Sequence, residues 1–314
     1  VFGANKRNTL KEQHMNHVQI LIVGQGPAGL SAAIYTARAG LTTLILGCSP
    51  KIAGDYDIDN YFGFPETITG SELIERGKAQ AKRFGVDMRC ERVLGIHPTE
   101  TGTFEVKTEK GTITADAVIL ATGVARVKSM IQNASDYEGK GISYCVSCDA
   151  FFYRNKKVMV VGEGIFAANQ ALELKEYTPH VSICTQGRAL TMTPEFLQRL
   201  EKAHIPVLDK TVTKALGENG LEAVMYNDGT TEPMDGIFVA RGEASSLDFA
   251  YSLGLLRKGV FIEADNEQKT NVPGVFAAGD CVGNFLQISV AVGEGAKAGR
   301  SAIKYLKGFN NNGH

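Results

Sequence analysis

Residues 18–29 read Val18-Gln19-Ile20-Leu21-Ile22-Val23-Gly24-Gln25-Gly26-Pro27-Ala28-Gly29, and an apolar helical stretch follows to Ala39. A short aliphatic run bounded by a glycine turn is a buried strand, and Gly-x-Gly-x-x-Gly directly after it leads into a helix. In such a unit Gly24 permits the tight turn, Gly26 lets a pyrophosphate approach the backbone, and Gly29 lets helix pack on strand. Amide hydrogens at the helix start then face the phosphates. The next strand, Thr43 to Leu46, ends in Gly47-Cys48, where a carboxylate often grips an adenosine ribose. That carboxylate is missing here, so other groups must hold the ribose.

Further along, Lys157-Val158-Met159-Val160-Val161 leads into Gly162-Glu163-Gly164-Ile165-Phe166-Ala167 and a second helix, so the chain repeats its opening unit. Between the copies, 103–108 and 112–114 read as a hairpin pair, and 116–123 as a separate buried strand ending in Ala121-Thr122-Gly123. The stretch 270–280 ends in Ala277-Ala278-Gly279-Asp280, and a helix is expected from about Gln287 to Lys307. The fold class is therefore α/β, with two Rossmann-like, three-layer nucleotide-binding domains.

The chain has 314 residues, enough for two cored domains. Its 33 Lys and Arg against 34 Asp and Glu leave a net charge of −1, which gives no global field for nucleic acid or an anionic membrane. No apolar run reaches the ~18 residues of a membrane span. Of six cysteines, Cys48, Cys90, Cys184 and Cys281 are scattered singly, unlike a secreted disulfide framework, which points to a reducing, cytoplasmic compartment. Residues 1–17 are polar and are expected to be a disordered arm or tag, with Met15 a candidate native start.

Together the Gly24–Gly29 turn, the Ala-Thr-Gly strand end, Cys145-Val146-Ser147-Cys148-Asp149 and the late Ala-Ala-Gly-Asp resemble the low-molecular-weight thioredoxin reductase family over nearly the whole chain after residue 17. The resemblance implies a discontinuous FAD domain, 18–124 with 245–314, interrupted by a redox-disulfide domain of degenerate NADPH-binding type, 125–244. The crossings fall near Gly123 to Arg126 and near Ala240 to Ser246, with Arg241-Gly242 as a flexible element. It implies FAD-binding roles for Gly24, Gly26, Pro27, Ala28, Gly29, Thr122, Gly123, Gly279, Asp280 and Gln287, and a homodimer. Asp280 would accept a bond from a flavin side-chain hydroxyl, with Gln287 near the pyrimidine; a helix cap is the structural alternative for Asp280. Cys281 reads as a small buried filler.

Two residues separate Cys145 from Cys148, a spacing that lets sulfurs cycle between disulfide and dithiol with little backbone change. No second Cys or His pair has the spacing that a zinc site needs, so no metal is expected. Asp149 can exchange the protons that disulfide reduction consumes, or cap a helix. The resemblance assigns Cys148 to take electrons from the flavin and Cys145 to attack the disulfide of thioredoxin or a thioredoxin-like protein. Because one pose cannot serve both tasks, it also implies a swing of the cysteine-bearing domain.

The second turn departs from the NADPH-using pattern. Where relatives carry His-Arg-Arg, this chain has Val181-Ser182-Ile183-Cys184-Thr185-Gln186-Gly187-Arg188, with Arg188 its only cation and no carboxylate. Glu163 puts an anion between the glycines, which at an effective dielectric near 20 and about 4 Å costs on the order of 4 kcal/mol against phosphate if it points inward. The alternative, a side chain pointing outward, would leave a working NADPH site with unusual contacts. A kept FAD domain and disulfide with an eroded nicotinamide site are similar to ferredoxin-dependent flavin thioredoxin reductases, as is the departure at 53–61 from the usual Gly-Gly-Gln-Leu. That resemblance implies ferredoxin as donor, with NADPH the alternative and a non-turnover flavin sensor a second one. Arg83, Arg89 and Arg92, or Arg154, Lys156 and Lys157, are candidate docking charges for an acidic donor.

Overall fold

The structure, a computed structural model, describes residues 17–48, 50–54, 57–124, 130–242 and 244–311. The expected arm lies outside them except for His17, which begins the first strand and bonds Asp116 through Nε2 at 2.8 Å. Also outside are Arg126 of the first crossing and Asp55-Tyr56 of the 53–61 loop. Alternating and continuous apolar runs become β1 (His17–Val23), α1 (Pro27–Arg38) and β2 (Thr43–Leu46). Pro27 opens α1, where a missing N–H costs no hydrogen bond. A small hairpin, β3 (Asp57–Ile58) and β4 (Ile68–Thr69), leads to α2 (Gly70–Arg83), capped by Thr69 accepting from the Glu72 amide at 3.1 Å. Then come β5 (Asp87–Arg89), β6 (Val93–Pro98), β7 (Phe104–Thr108) and β8 (Thr112–Leu120).

The expected break between a hairpin strand at 112–114 and a buried strand from 116 does not exist. β8 is one strand: Thr114 to Leu120 pair parallel with β1 along one side, while on the other side Thr112 to Ala115 pair antiparallel with β7 and Val118 to Leu120 pair parallel with the late strand 275–277. One side of the strand changes neighbour, so the change in sequence character at Ala115 marks a change of partner.

The middle of the chain gives β9 (Ile142–Ser143), α3 (Val146–Asp149), β10 (Val158–Val161), α4 (Ile165–Leu174), β11 (Val181–Cys184), α5 (Pro194–Lys202) and β12 (Val207–Leu208). A meander, β13 (Val212–Leu216), β14 (Ala223–Tyr226) and β15 (Thr231–Pro233), precedes β16 (Gly236–Val239). The return adds α6 (Ser246–Leu253), β17 (Arg257–Lys258), β18 (Phe261–Ile262), β19 (Val275–Ala277) and α7 (Ile288–Asn311).

The chain divides into two compact units, Val1–Ala125 with Ser245–His314, and Arg126–Ala244. In the first, the sheet runs β5-β2-β1-β8-β7-β6, with β19 on β8. Ile20, Ile22, Ile45, Ile119 and Phe276 fill the layer between this sheet and its helices, where Ala28, Ala32 and Ala298 let α1 and α7 approach closely. The second unit has an all-parallel sheet, β12-β11-β10-β16-β9, whose strands are fully apolar in β10 and β16, as sheets covered on both faces require. Among the described residues no helix is long and apolar enough to cross a membrane.

Candidate functional site

In the first unit the glycine turn sits where β1, β2 and β8 end together. Gly24 has φ +116°, and a Cβ there would lie 2.2 Å from the Ala121 carbonyl oxygen; one at Gly29 would lie 2.0 Å from the Gly24 oxygen. Both must be glycine on geometry alone. Gly26 differs. A Cβ at that position would meet nothing nearer than Pro50 at 3.9 Å, so the space in front of this amide is open. The buried Thr122 hydroxyl, just past the end of the neighbouring β8, has no hydrogen-bond partner among the described residues. An open N-terminal turn and an orphaned hydroxyl beside it match a cofactor that brings its own polar groups.

The second edge of this cradle is the turn after β19. Gly279 has φ +79° and packs against Ala28 of α1, next to the half-buried Asp280. Asp280 opens a short 3₁₀ turn capped by Gly279, so it does not serve as that turn's N-cap. Glu294, buried in α7, accepts from the Gly279 amide at 2.9 Å and from the Asn284 side chain at 3.0 Å, and so fixes the turn. Gln287 stands just before α7, and its Oε1 accepts from Asn60 at 3.0 Å. The family resemblance named Gln287 and Asp280; Asn60 and Glu294, which carry no motif, are contacts that sequence reading did not single out. Cys281 is wholly buried, and burial pushes its thiol up to about 12, as a packing residue has it.

One sequence expectation fails outright. Cys48 and Cys90, read as single cysteines, form a disulfide across the ends of β2 and β5. Their separation of 42 residues hid the pair, since only the register of the two strands makes them neighbours. Cys184 and Cys281 are free and buried.

In the second unit Cys145 and Cys148 are joined as a disulfide, with Cys145 as N-cap of α3. The Cys148 amide donates to Cys145 Sγ at 3.1 Å, and Ser143 Oγ accepts from the Cys145 amide at 3.0 Å. Cys145 is buried at 6 % exposed, whereas Cys148 is exposed. Asp149 is half-buried and starts the following 3₁₀ turn without a side-chain cap bond. Burial, and then the charges of Asp149 and Asp235, hold the nearby Tyr153 phenol above its ordinary value. Among the described residues no three His, Cys, Asp or Glu side chains gather as a metal would need.

The repeated glycine turn before α4 keeps the close approach of its first glycine, where a Cβ at Gly162 would lie 2.1 Å from the Ala240 oxygen, but not the positive φ of Gly24, and it changes its lining. Glu163 is 9 % exposed, with Oε1 3.5 Å from Arg188 Nη1 and Oε2 buried without a hydrogen-bond partner among the described residues. Its carboxylate is thus turned into the protein. The Thr191 amide donates to the Glu163 oxygen at 2.9 Å, and Gly164 pairs with Thr191, so a neighbouring segment runs along the turn. Downstream, Gln186 spends its side chain on both backbone groups of Val212, and Cys184 Sγ donates to the Lys210 oxygen at 3.1 Å. Of the two basic clusters, Arg89 pairs with Asp87 and Arg92 with Glu109, while Lys157 pairs with Glu232. Arg154 and Lys156 lie over the rings of Phe151 and Tyr153.

A dinucleotide cradle in one α/β unit and a Cys-x-x-Cys disulfide in another define a flavin-type disulfide oxidoreductase. The chain belongs to the pyridine nucleotide-disulphide oxidoreductase family, whose model matches residues 18–295. Members of this family are FAD flavoproteins, and FAD is the cofactor of this chain. It is 34% identical over 305 residues to a thioredoxin reductase of Treponema pallidum (strain Nichols), covering 93% of this chain and 98% of the relative. The atypical thioredoxin reductase TRi from Desulfovibrio vulgaris Hildenborough is 63% identical with a TM-score of 0.91, covering 92% of this chain and 98% of that one. A ferredoxin-flavin thioredoxin reductase from Clostridium acetobutylicum is 28% identical with a TM-score of 0.70, covering 93% and 98%.

Proposed function

We propose that this chain is a thioredoxin reductase that takes its electrons from reduced ferredoxin and passes them through the Cys145–Cys148 pair to thioredoxin or a thioredoxin-like protein. The observation that carries the donor half is the Glu163 carboxylate, buried in the second glycine turn against Arg188. It puts a carboxylate into the turn that a pyrophosphate would use and engages the one cation of the 181–188 stretch. Cys184 and Gln186 are bonded to the backbone of 210–212, which leaves neither for a ribose. Similarity to the ferredoxin-flavin enzyme supports the same reading.

FAD supplies the means to take electrons singly and give them as a pair. Gly24, Gly26, Pro27, Ala28 and Gly29 would hold its pyrophosphate, Thr122 and Gly123 would close one side, and Gly279, Asp280 and Gln287 the other. Chemistry on the partner belongs to the cysteines. The Cys145 thiolate attacks the partner's disulfide, forming a mixed disulfide and releasing one partner thiol. Cys148 then attacks Cys145, re-forms the pair and releases the second thiol; two electrons and two protons have moved to the partner. Asp149 is the group nearest in sequence to exchange those protons.

A dithiol product persists only in a reducing compartment, so the reading assigns the protein to the cytoplasm. The resemblance adds a homodimer, which sedimentation at micromolar concentration tests. The donor is tested by anaerobic titration with reduced ferredoxin and with NADPH, following flavin absorbance and then thioredoxin thiols. Bleaching and sustained turnover with ferredoxin, lost in Cys145→Ser, are expected. Fast bleaching by NADPH at stoichiometric amounts would replace ferredoxin by the nicotinamide cofactor, which the retained Gly162 and Gly164 spacing favours as the second reading.

A further inference from the structure

We propose that Cys48–Cys90 is a second thiol–disulfide exchange site, a clasp at the adenosine end of the flavin cradle that a dithiol opens. The proposal rests on reading the Gly24 turn as that cradle. β2 and β5 pair in parallel with Leu46 opposite Arg89, and within two residues each strand reaches its cysteine. The Gly24 amide donates to the Leu46 oxygen at 2.7 Å and the Gly47 amide to the Arg89 oxygen at 3.3 Å. Gln25 Nε2 donates to the carbonyls of both Gly47 and Arg89. The glycine turn and the two strand ends are therefore one hydrogen-bonded patch, and the disulfide ties its two sides together.

In dinucleotide-binding folds the end of this second strand is where the adenosine ribose is held. Here Gly47 and Cys48 stand at that place instead of a carboxylate, so the bridge governs where the Gly47 and Arg89 backbone lies toward the cofactor. Cys90 is exposed and Cys48 half-buried, which leaves Cys90 open to attack and makes Cys48 the leaving sulfur. A thiolate of an incoming dithiol attacks Cys90 Sγ, breaks the Cys48–Cys90 bond and forms a mixed disulfide; Cys48 departs as thiolate and takes a proton. The second thiol of the reductant resolves the mixed disulfide, and Cys90 takes a proton as it leaves. Two electrons and two protons pass to the pair, and the reductant ends as a disulfide. A reduced dithiol protein, the class of product this enzyme makes, is such a reductant, so accumulated product loosens the cofactor.

The test uses the full-length holoprotein with Cys145→Ser and Cys148→Ser, so that Cys48–Cys90 is the remaining disulfide. Dithiothreitol is titrated anaerobically, native-state thiols are alkylated and mapped by mass spectrometry, and FAD release on dilution is followed by fluorescence. Expected is alkylation at Cys48 and Cys90 without denaturant, with FAD held about tenfold less tightly, the weight of one net hydrogen bond. Cys48→Ala with Cys90→Ala should show the same weakening without dithiol, at unchanged far-ultraviolet circular dichroism. A bridge that resists dithiol until the protein is denatured overturns the exchange site, as does finding both residues as free thiols in the isolated protein. FAD retained equally with the bridge open and closed overturns the clasp and leaves the cradle standing. A chain that binds no FAD even with the bridge intact overturns the cradle and the clasp with it.

Discussion

A hydrogen bond from the Cys148 amide to Cys145 Sγ steadies negative charge on that sulfur, the atom that the proposed mechanism has leave and attack as thiolate. Cys145 is nevertheless the covered member of the pair, so its attack on a partner needs the 143–149 segment to open. Cys148→Ser is expected to trap a mixed disulfide between Cys145 and a single-cysteine thioredoxin supplied as its thionitrobenzoate mixed disulfide, thionitrobenzoate leaving as the Cys145 thiolate attacks, and turnover should fall by on the order of 10³-fold or more. Gel mobility under non-reducing conditions checks it; trapping by Cys145→Ser instead would exchange the roles. Glu163 allows an equally direct experiment. Glu163→Ala removes the charge facing Arg188, and NADPH affinity measured by calorimetry should rise at least about tenfold, a conservative share of the ~4 kcal/mol repulsion. Equal affinity in both proteins would take the donor argument away.

At the scale of elements, the first glycine turn and the cap of α6 make different claims. Gly24→Ala puts a methyl group 2.2 Å from the Ala121 oxygen at a φ that side chains avoid, so β1 and β8 cannot both keep their places. The expected outcome is protein purified without flavin and a melting point lowered by the equivalent of 1–3 kcal/mol or more, about the strain of such a backbone position. In α6, Asp248 accepts from the Ser245 amide and hydroxyl, and burial raises its carboxyl from 3.8 to about 6 despite those bonds. Its folded form binds a proton more readily than its unfolded form. Its contribution is therefore fully present below about pH 4 and is lost as pH rises through about 6, a change on the order of 2–3 kcal/mol. Urea unfolding from pH 4 to 7 should show this slope in the unsubstituted protein relative to Asp248→Asn, where it disappears. Of the elements themselves, strands and helices flanking each glycine turn were legible because aliphatic runs and Gly-x-Gly are local signals. The continuity of β8 was not, because its two halves differ in who pairs with them.

For the molecule as a whole, a net charge of −1 leaves docking to local fields. Arg89, Arg92 and Lys157 are neutralised by carboxylates, while Arg154 and Lys156 are exposed over aromatic rings beside the Cys145–Cys148 segment. Reversing both, Arg154→Glu with Lys156→Glu, should raise KM for ferredoxin about tenfold with little change in kcat, and the difference should shrink at high ionic strength. Steady-state assays at two salt concentrations check it, and indifference to salt would exclude this face. The two units differ at the turn that would meet a nucleotide. Both glycine turns read alike as strings, yet one opens in front of Gly26 and the other is lined by its own Glu163.

Periodicity and glycine spacing, being properties of adjacent residues, were enough to define two α/β nucleotide-binding-type folds and to single out Cys145 and Cys148, which lie three positions apart. Everything decided by strand register or side-chain direction waited for the tertiary structure. The Cys48–Cys90 bridge, the Asn60–Gln287 contact, the hold of Glu294 on Gly279 and the inward turn of Glu163 join residues far apart in the chain, and only folding brings such atoms within bonding distance.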